Sequence, residues 1–232
     1  ALAEESVTKS TDLLIDLVQW MFDKEFPLNS ARQVVLAAQT FCRQLKGNIR
    51  GAWDSIQSWE NECPVETRTP MPYMILQVMK LVARALSTQV SGGARLQWLI
   101  FSVLIDVGFH AMLRPVELLA LMPALVALPS GMMTASAFAT VSILNPKNRR
   151  AMGKKQFALV RDDEATAWLE WMSSNYPLSA KYWRYSPSLF RQKFKALLKY
   201  LALEHLGLTP ASLRAGGATY FFIQGVPVSH LK

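Results

Sequence analysis

The sequence predicts a mainly α-helical fold with one small antiparallel β element, and three observations lead to this prediction. Apolar residues recur at helical spacing along most of the chain, as Leu13, Leu17 and Met21 do. Only residues 137–160 change to the alternating pattern of β-strands. Proline and glycine concentrate between the periodic segments, where they end helices and form turns. The 232 residues, 51% of them hydrophobic, can build one large globular domain or two smaller ones.

The first predicted unit is a small helical module with helices over residues 11–26, 31–45 and 52–60. Thr11 or Asp12 is expected to cap the first helix. Four basic residues interleave with the apolar positions of this module and are candidate contacts to a nucleic-acid backbone, although a solvated surface explains them equally well: Arg32, Arg43, Lys46 and Arg50.

A proline-rich stretch over residues 63–72 follows and is the best candidate for a linker. We therefore expect one domain over residues 1–66 and a second over residues 67–232.

The second domain is predicted to begin with a helix over residues 73–88 and a long apolar helix from Leu96. This apolar run is the sequence's one candidate for a membrane span. It contains Asp106 and His110 and runs directly into Arg114-Pro115, which favours a buried core helix and no membrane association.

Arg114 is the most informative residue of the sequence. Proline is well suited to the first position of a helix, so Pro115 places Arg114 at the N-cap of a new helix with Glu117 one turn further on. An ordinary ion pair between Arg114 and Glu117 is one interpretation. Phosphate binding is the other, because a helix N-terminus and a guanidinium fork both suit that anion.

Residues 137–144 and 156–160 are predicted to form a β-hairpin. Its tip carries five basic residues and no acidic one, an arrangement that is repulsive unless a polyanion lies nearby. These residues are Lys147, Arg149, Arg150, Lys154 and Lys155.

Three further helices are predicted after the hairpin. One is capped by Asp162 or Asp163. Another is capped by Ser186, covers residues 187–203 and carries Arg191 and Lys195. A last helix is expected to open at Pro210 and to carry Arg214.

The positive charge is concentrated in the second half of the chain. Residues 1–116 contain 11 Lys/Arg and 11 Asp/Glu, whereas residues 117–232 contain 14 and 6, so the second half carries the whole net charge of +8. This asymmetry indicates a polyanionic partner, nucleic acid before membrane.

Cysteine and histidine usage narrows the class of protein further. Two cysteines without C-x-x-C spacing and three histidines without ligand spacing indicate no disulfide framework, no metal site and a reducing nuclear or cytoplasmic compartment.

Taken in order, these motifs resemble the tyrosine recombinase, or phage integrase, family and especially its eukaryotic mobile-element-like members. The segments that carry the resemblance are Ala111–Leu118, the basic hairpin with Pro146-Lys147-Asn148, and Leu208–Arg214. It implies a helical core-binding (SAM-like) domain followed by an integrase-like catalytic domain, with duplex DNA as partner, no cofactor and room for a homo-oligomer on DNA.

The resemblance also implies catalytic roles. Arg114 and Arg214 would hold the scissile phosphate, and Lys147 would protonate the leaving 5′-oxygen while a tyrosine attacks. The family's motif histidine is Ala211 here, and no tyrosine follows at the nucleophile's expected place, so enzymatic activity stays open and we expect no covalent DNA adduct from this chain. The alternative is a non-catalytic helical scaffold with a basic surface, in which Arg114, Lys147 and Arg214 lie apart.

Overall fold

The computed structural model describes residues 2–63, 69–131, 138–144 and 155–228, with the side chains of residues 2–6 left out. The chain divides into two compact units, Ala1–Thr67 and Arg68–Lys232. The prediction of a mainly helical fold with a small antiparallel sheet is confirmed. The identities of the units as core-binding and catalytic domains stay predictions.

The described part of the first unit contains three α-helices, α1 (Leu2–Asp23), α2 (Leu28–Phe41) and α3 (Arg50–Glu62). Their apolar positions close over one core, which includes Val18, Val35, Ile56 and Trp59. Burial of this continuous apolar stripe is what holds three short helices together.

The predicted start of α1 at Thr11 was wrong. The helix begins at Leu2, and the Thr11 hydroxyl donates a hydrogen bond to the Val7 carbonyl, 2.9 Å away, inside the helix. The polar residues before Thr11 lack apolar periodicity and so gave no helical signal. The predicted end of α2 at residue 45 was also wrong, because Cys42 adopts an extended conformation (φ −116°, ψ 96°) and a 3₁₀ turn follows.

The second unit contains six described helices and a three-stranded sheet. The helices are α4 (Tyr73–Gln89), α5 (Gly92–His110), α6 (Pro115–Leu119), α7 (Asp163–Asn175), α8 (Pro187–Tyr200) and α9 (Ser212–Ile223). The N-caps of α7 and α8 are the predicted ones: Asp162 and Ser186 accept hydrogen bonds from the backbone N–H groups of Ala165 and Leu189. The predicted end of α8 at residue 203 was too late.

Helix α5 lies at the centre of this unit. Every residue from Ile100 to His110 is buried, so the helix has no solvated face over three turns. Among the described helices, α5 is long and apolar enough to cross a membrane by length and composition alone. A buried core helix passes the same test, and the packing of α5 in the unit is of that kind.

The sheet has the order β1–β2–β3 with antiparallel pairing, where β1 is Val126–Ala127, β2 is Ala139–Ile143 and β3 is Gln156–Val160. The two longer strands were predicted, and β1 was not, because two residues are too few to show alternation. Ala139 pairs with Val160 and both are buried, whereas Phe157 on the other face is exposed. The connection between β2 and β3 lies mostly outside the described residues.

Helix α9 begins at Ser212, not at Pro210 as predicted, because Thr209–Ala211 form a turn closed by a 2.8 Å hydrogen bond from the Ser212 N–H to the Thr209 carbonyl. Its Gly216 and Gly217 permit a very close approach to other backbone. A Cβ on Gly216 would overlap the Met71 carbonyl, and one on Gly217 would overlap the Phe109 carbonyl. The Gly-Gly pair of the motif therefore sets how α9 packs against α5.

Candidate functional site

Arg114 occupies the predicted N-cap of α6, with φ −68° and ψ 150°, and Pro115 is the first helical residue. Glu117 holds it at two points. The Arg114 backbone N–H donates to Glu117 Oε2, and Nη1 donates to Glu117 Oε1, each at 2.8 Å. The predicted ion pair is present, and it fixes the rotamer of Arg114 at the end of the α5–α6 turn.

Arg214 comes from α9 and meets the same carboxylate. Its Nη1 donates to the Met112 carbonyl at 3.0 Å and lies 3.9 Å from Glu117 Oε2. Met112 lies in the α5–α6 turn with a positive φ of 50°. A helix far along the chain thus places its arginine beside the turn that carries Arg114.

Arg114 and Arg214 lie on either side of the Glu117 carboxylate. We call these two arginines the arginine pair. The Glu117 side chain is only 8% exposed, whereas those of Arg114 and Arg214 are 29% and 36% exposed. One carboxylate faces two guanidinium groups, so positive charge remains in excess on the solvent side.

The pKa of Arg214 is lowered at this site. Burial lowers the pKa of Arg214, the positive charge of Arg114 lowers it further, and Glu117 opposes both effects. Arginine stays protonated in proteins, so the lowered pKa means that burial first, and the nearby Arg114 charge second, make the charged form of Arg214 less favourable here than in water. A further anion would relieve that cost.

The predicted residues of the hairpin tip are mostly outside the described chain. Lys147, Arg149, Arg150 and Lys154 cannot be placed, and Lys155 is exposed at the start of β3. Whether Lys147 reaches the arginine pair therefore stays a prediction.

Arg191 and Lys195 lie on α8, and both are exposed. Arg191 lines a pocket of about 550 Å³ whose wall also includes Pro115 and Ala211. The pocket thus adjoins Pro115, which follows Arg114, and the turn before α9, the helix that carries Arg214. Lys181 and Arg184 add two more basic side chains to its lining.

The predicted basic residues of the first unit differ in their availability. Arg32 forms an ion pair with Glu60, and Arg50 lies 3.9 Å from Asp54. Arg43 and Lys46 are exposed in the segment between α2 and α3. Arg32 is therefore the weakest of the four candidate DNA contacts.

Sequence reasoning missed a buried polar network in the second unit. Lys80 of α4 is 2% exposed, and its Nζ lies 2.7 Å from Asp106 Oδ2 and 2.9 Å from Glu164 Oε2. Arg84 also binds Glu164. Burial acts to lower the pKa of Lys80, but hydrogen bonds to the two carboxylates outweigh it and raise the pKa.

The pKa of Glu164 is lowered, as expected for the acidic partner of an ion pair. Burial acts to raise it, but the hydrogen bonds from Lys80 and Arg84 prevail and lower the pKa to about 2. A signal for this network was present in the sequence, because Asp106 and Lys80 are charged residues within apolar helical patterns. Their partner, Glu164, gave no comparable signal.

Tyr220 is the last tyrosine of the chain, and its ring stacks on Tyr73 with centroids 4.6 Å apart. It belongs to an aromatic cluster around His110. Its ring is therefore held in packing on α9, six residues beyond Arg214.

Comparison with known proteins adds no assignment to this geometry. No protein-family model matches the chain, and no curated protein matches it either.

Proposed function

We propose that this chain is a DNA-binding protein of the tyrosine recombinase type, in which Arg114 and Arg214 hold one backbone phosphate. The observation that carries the proposal is the meeting of both arginines at Glu117, from elements about a hundred residues apart in sequence. The same two residues were the candidates for phosphate binding in the sequence.

The chemistry of the arginine pair suits a phosphodiester. A guanidinium presents a planar fork that matches two phosphate oxygens, and hydrogen bonds between charged groups are about twice as strong as neutral ones. Glu117 fixes Arg114, and the Met112 carbonyl fixes Arg214. Both donors are thus oriented before an anion arrives, which reduces the ordering cost of binding.

The surroundings favour a long polyanion over an isolated anion. Arg191 of α8 lines one pocket together with Pro115 and Ala211, and Lys195 is exposed one helical turn further along α8. The basic segment between β2 and β3 belongs to the same unit. Duplex DNA carries one charge per ~1.7 Å of its axis, so it can engage such a distributed set at once.

In an active enzyme of this type, the arginine pair would stabilise the negative charge that develops on the phosphate during strand cleavage. Loss of one such preorganised donor typically costs about 3 kcal/mol of transition-state stabilisation. Lys147 would supply the proton to the leaving oxygen. Ala211, in place of the motif histidine, would reduce activity.

The interaction scaffold remains the competing function, and it assigns Glu117 a purely structural role between two arginines. The two functions differ in what removal of the arginines does to DNA affinity. In the scaffold, binding would not depend on either residue beyond the loss of one surface charge.

Fluorescence anisotropy with a labelled duplex tests the proposal, using Arg114→Ala, Arg214→Ala and the double variant. Each single variant should weaken binding about 10- to 100-fold, because a hydrogen bond to a charged group typically contributes about 1.5–3 kcal/mol. Because both arginines would hold one phosphate, the double variant should flatten the slope of log affinity against log salt by only about 0.9.

Arg95→Ala is the matched control, since Arg95 is an exposed arginine in the first turn of α5. It should leave affinity nearly unchanged. Equal effects of Arg95→Ala and Arg114→Ala would contradict a specific phosphate site, provided that circular dichroism shows the variants folded.

A further inference from the structure

We propose that Asp106, His110 and Asp162 form a binding site for a divalent transition-metal ion, with Zn²⁺ as the preferred ion. This site lies in the second unit, on α5 and at the N-cap of α7, and it does not depend on the proposed DNA function. It departs from the sequence-based expectation of no metal site, which considered only cysteine and histidine spacing and not carboxylates from distant segments.

Two local features bring the three donors together: helical spacing on α5 and the N-cap of α7. Asp106 and His110 are four residues apart on α5, so they share one face of the helix. Asp162 caps α7 through Oδ1, which accepts a 2.8 Å hydrogen bond from the Ala165 N–H. This leaves Oδ2 directed at His110, 3.8 Å from Nε2.

His110 is a buried polar side chain without a hydrogen-bond partner among the described residues. It is 3% exposed, and neither ring nitrogen has a hydrogen bond within the described chain. Rings of Tyr73, Tyr220 and Phe221 surround it edge to face. Buried polar groups are almost always satisfied, so the imidazole needs a partner that protein atoms do not supply.

The distances fit a shared ion better than a direct hydrogen bond. His110 Nε2 lies 3.5 Å from Asp106 Oδ1 and 3.8 Å from Asp162 Oδ2, beyond the usual 2.7–3.2 Å of a hydrogen bond. Ligands bound to Zn²⁺ at 2.0–2.1 Å in a tetrahedron are ~3.4 Å apart. All three donor atoms lie within 4.8 Å of one another.

The charged groups around the site have a net negative charge, which favours binding of a cation. Lys80 and Arg84 oppose three carboxylates, Asp106, Asp162 and Glu164, so with neutral His110 one negative charge is in excess. Lys80 contacts Oδ2 of Asp106, which orients that carboxylate and leaves Oδ1 toward His110.

The donor set selects the class of ion. One imidazole nitrogen with two carboxylate oxygens suits Zn²⁺, whereas Mg²⁺ prefers oxygen ligands alone. Protonated His110 is the competing explanation, because an imidazolium would also meet the negative excess. It requires no metal, so metal titration separates the two.

The test is calorimetric titration of chelator-treated protein with ZnCl₂. The background carries Cys42→Ser and Cys63→Ser, because both thiols are exposed and bind zinc themselves. We expect uptake of one Zn²⁺ per chain, a raised melting temperature with Zn²⁺, and little effect of Mg²⁺.

Asp162→Asn is the main variant, because asparagine caps a helix as well as aspartate and α7 should stay intact. It should weaken Zn²⁺ binding at least tenfold, while Asp163→Asn, the same change at the exposed neighbour, should not. His110→Asn should abolish uptake, and His205→Asn is its exposed control.

Absence of stoichiometric uptake would overturn the proposal in favour of an imidazolium. Equal affinities for Asp162→Asn and Asp163→Asn would overturn it as well, and this comparison stands even if His110→Asn fails to fold.

Discussion

The two units of the chain differ in charge and in the kind of core they have. Residues 1–67 contain 6 Lys/Arg and 10 Asp/Glu, a net charge of −4, whereas residues 68–232 contain 19 and 7, a net charge of +12. The buried polar residues of the described chain, including Lys80, Asp106 and His110, all belong to the second unit.

The core of the first unit is apolar, whereas the second unit combines a larger apolar core with buried ion pairs. The first unit is a three-helix module, and its candidate DNA contacts are a local basic segment within a negative unit. The second unit combines a positive surface with buried carboxylates that are paired at a cost in desolvation. We therefore expect stability and DNA binding to respond most strongly to changes in the second unit.

The largest effect should come from Lys80→Met, which leaves the fully buried Asp106 without its cation. Breaking one side of a buried ion pair typically destabilises by 3–5 kcal/mol. In urea unfolding, the transition of the second unit should shift and that of the first should not. Lys199→Met, at an exposed position of α8, is the control. A small effect of Lys80→Met would show that Lys80 is dispensable for the core.

A second strong effect is expected from Gly217→Ala, because the new methyl group would overlap the Phe109 carbonyl and push α9 away. Overpacking of this kind costs about 1–3 kcal/mol. Thermal unfolding should show a lower melting temperature for the second unit. Gly93→Ala, where nothing lies within 4 Å, should be neutral or slightly stabilising. Equal melting temperatures for the two variants would contradict the described packing.

The salt dependence of DNA binding should differ between variants of the two units. Changing Arg149, Arg150, Lys154 and Lys155 to alanine should weaken binding and reduce the salt slope by up to ~3.6, if each contacts one phosphate. Changing Arg43, Lys46 and Arg50 should reduce it less, because their unit is negative overall. Anisotropy titrations at several salt concentrations measure both slopes. An unchanged slope for the first set would exclude the segment between β2 and β3 as a DNA contact.

The smallest expected effect is the contribution of Glu164 to the free energy of unfolding at acidic pH. Its pKa is lowered in the folded protein to about 2 from the ordinary 4.5, so its contribution to stability is complete above pH 4.5 and is lost as the pH falls toward 2. The half-exposed position of the carboxylate reduces the size of the effect.

Glu164→Gln should therefore lose stability relative to the natural protein at pH 6 and approach it near pH 2, as measured by urea unfolding. Glu204→Gln, at an exposed site, should show no such convergence. A constant difference at all pH values would mean that Glu164 acts through packing and not through charge.

Patterns within a short stretch predicted much of this structure. The proline at position 115 located the start of α6, and the alternation over residues 137–144 and 156–160 located the two longer strands. Asp162 and Ser186 were identifiable as caps because capping is a local interaction. Strand β1 was missed, since its two residues pair with β2 through tertiary context alone.

For the candidate site, the sequence identified Arg114 and Arg214 individually and expected them to converge. It could not show that Glu117 would be the group that both approach, because this depends on how α9 packs. Nor could it show that Lys80, Asp106 and Glu164 are partners, since they come from three separate helices. Contacts between distant segments leave no periodic signal in either member.

The two glycines of α9 determine how adaptable the arginine pair is. Gly216 and Gly217 bring α9 onto the backbone at Met71 and Phe109, and the Met71 N–H donates to the Ser212 carbonyl at 3.0 Å. The distance between the Cα atoms of Arg114 and Arg214 is thus set by contacts between backbone segments, which side-chain repacking cannot adjust. We therefore expect the spacing of the two guanidinium groups to be nearly fixed. Substitutions around it would change how firmly an anion is held, but not which size of anion fits.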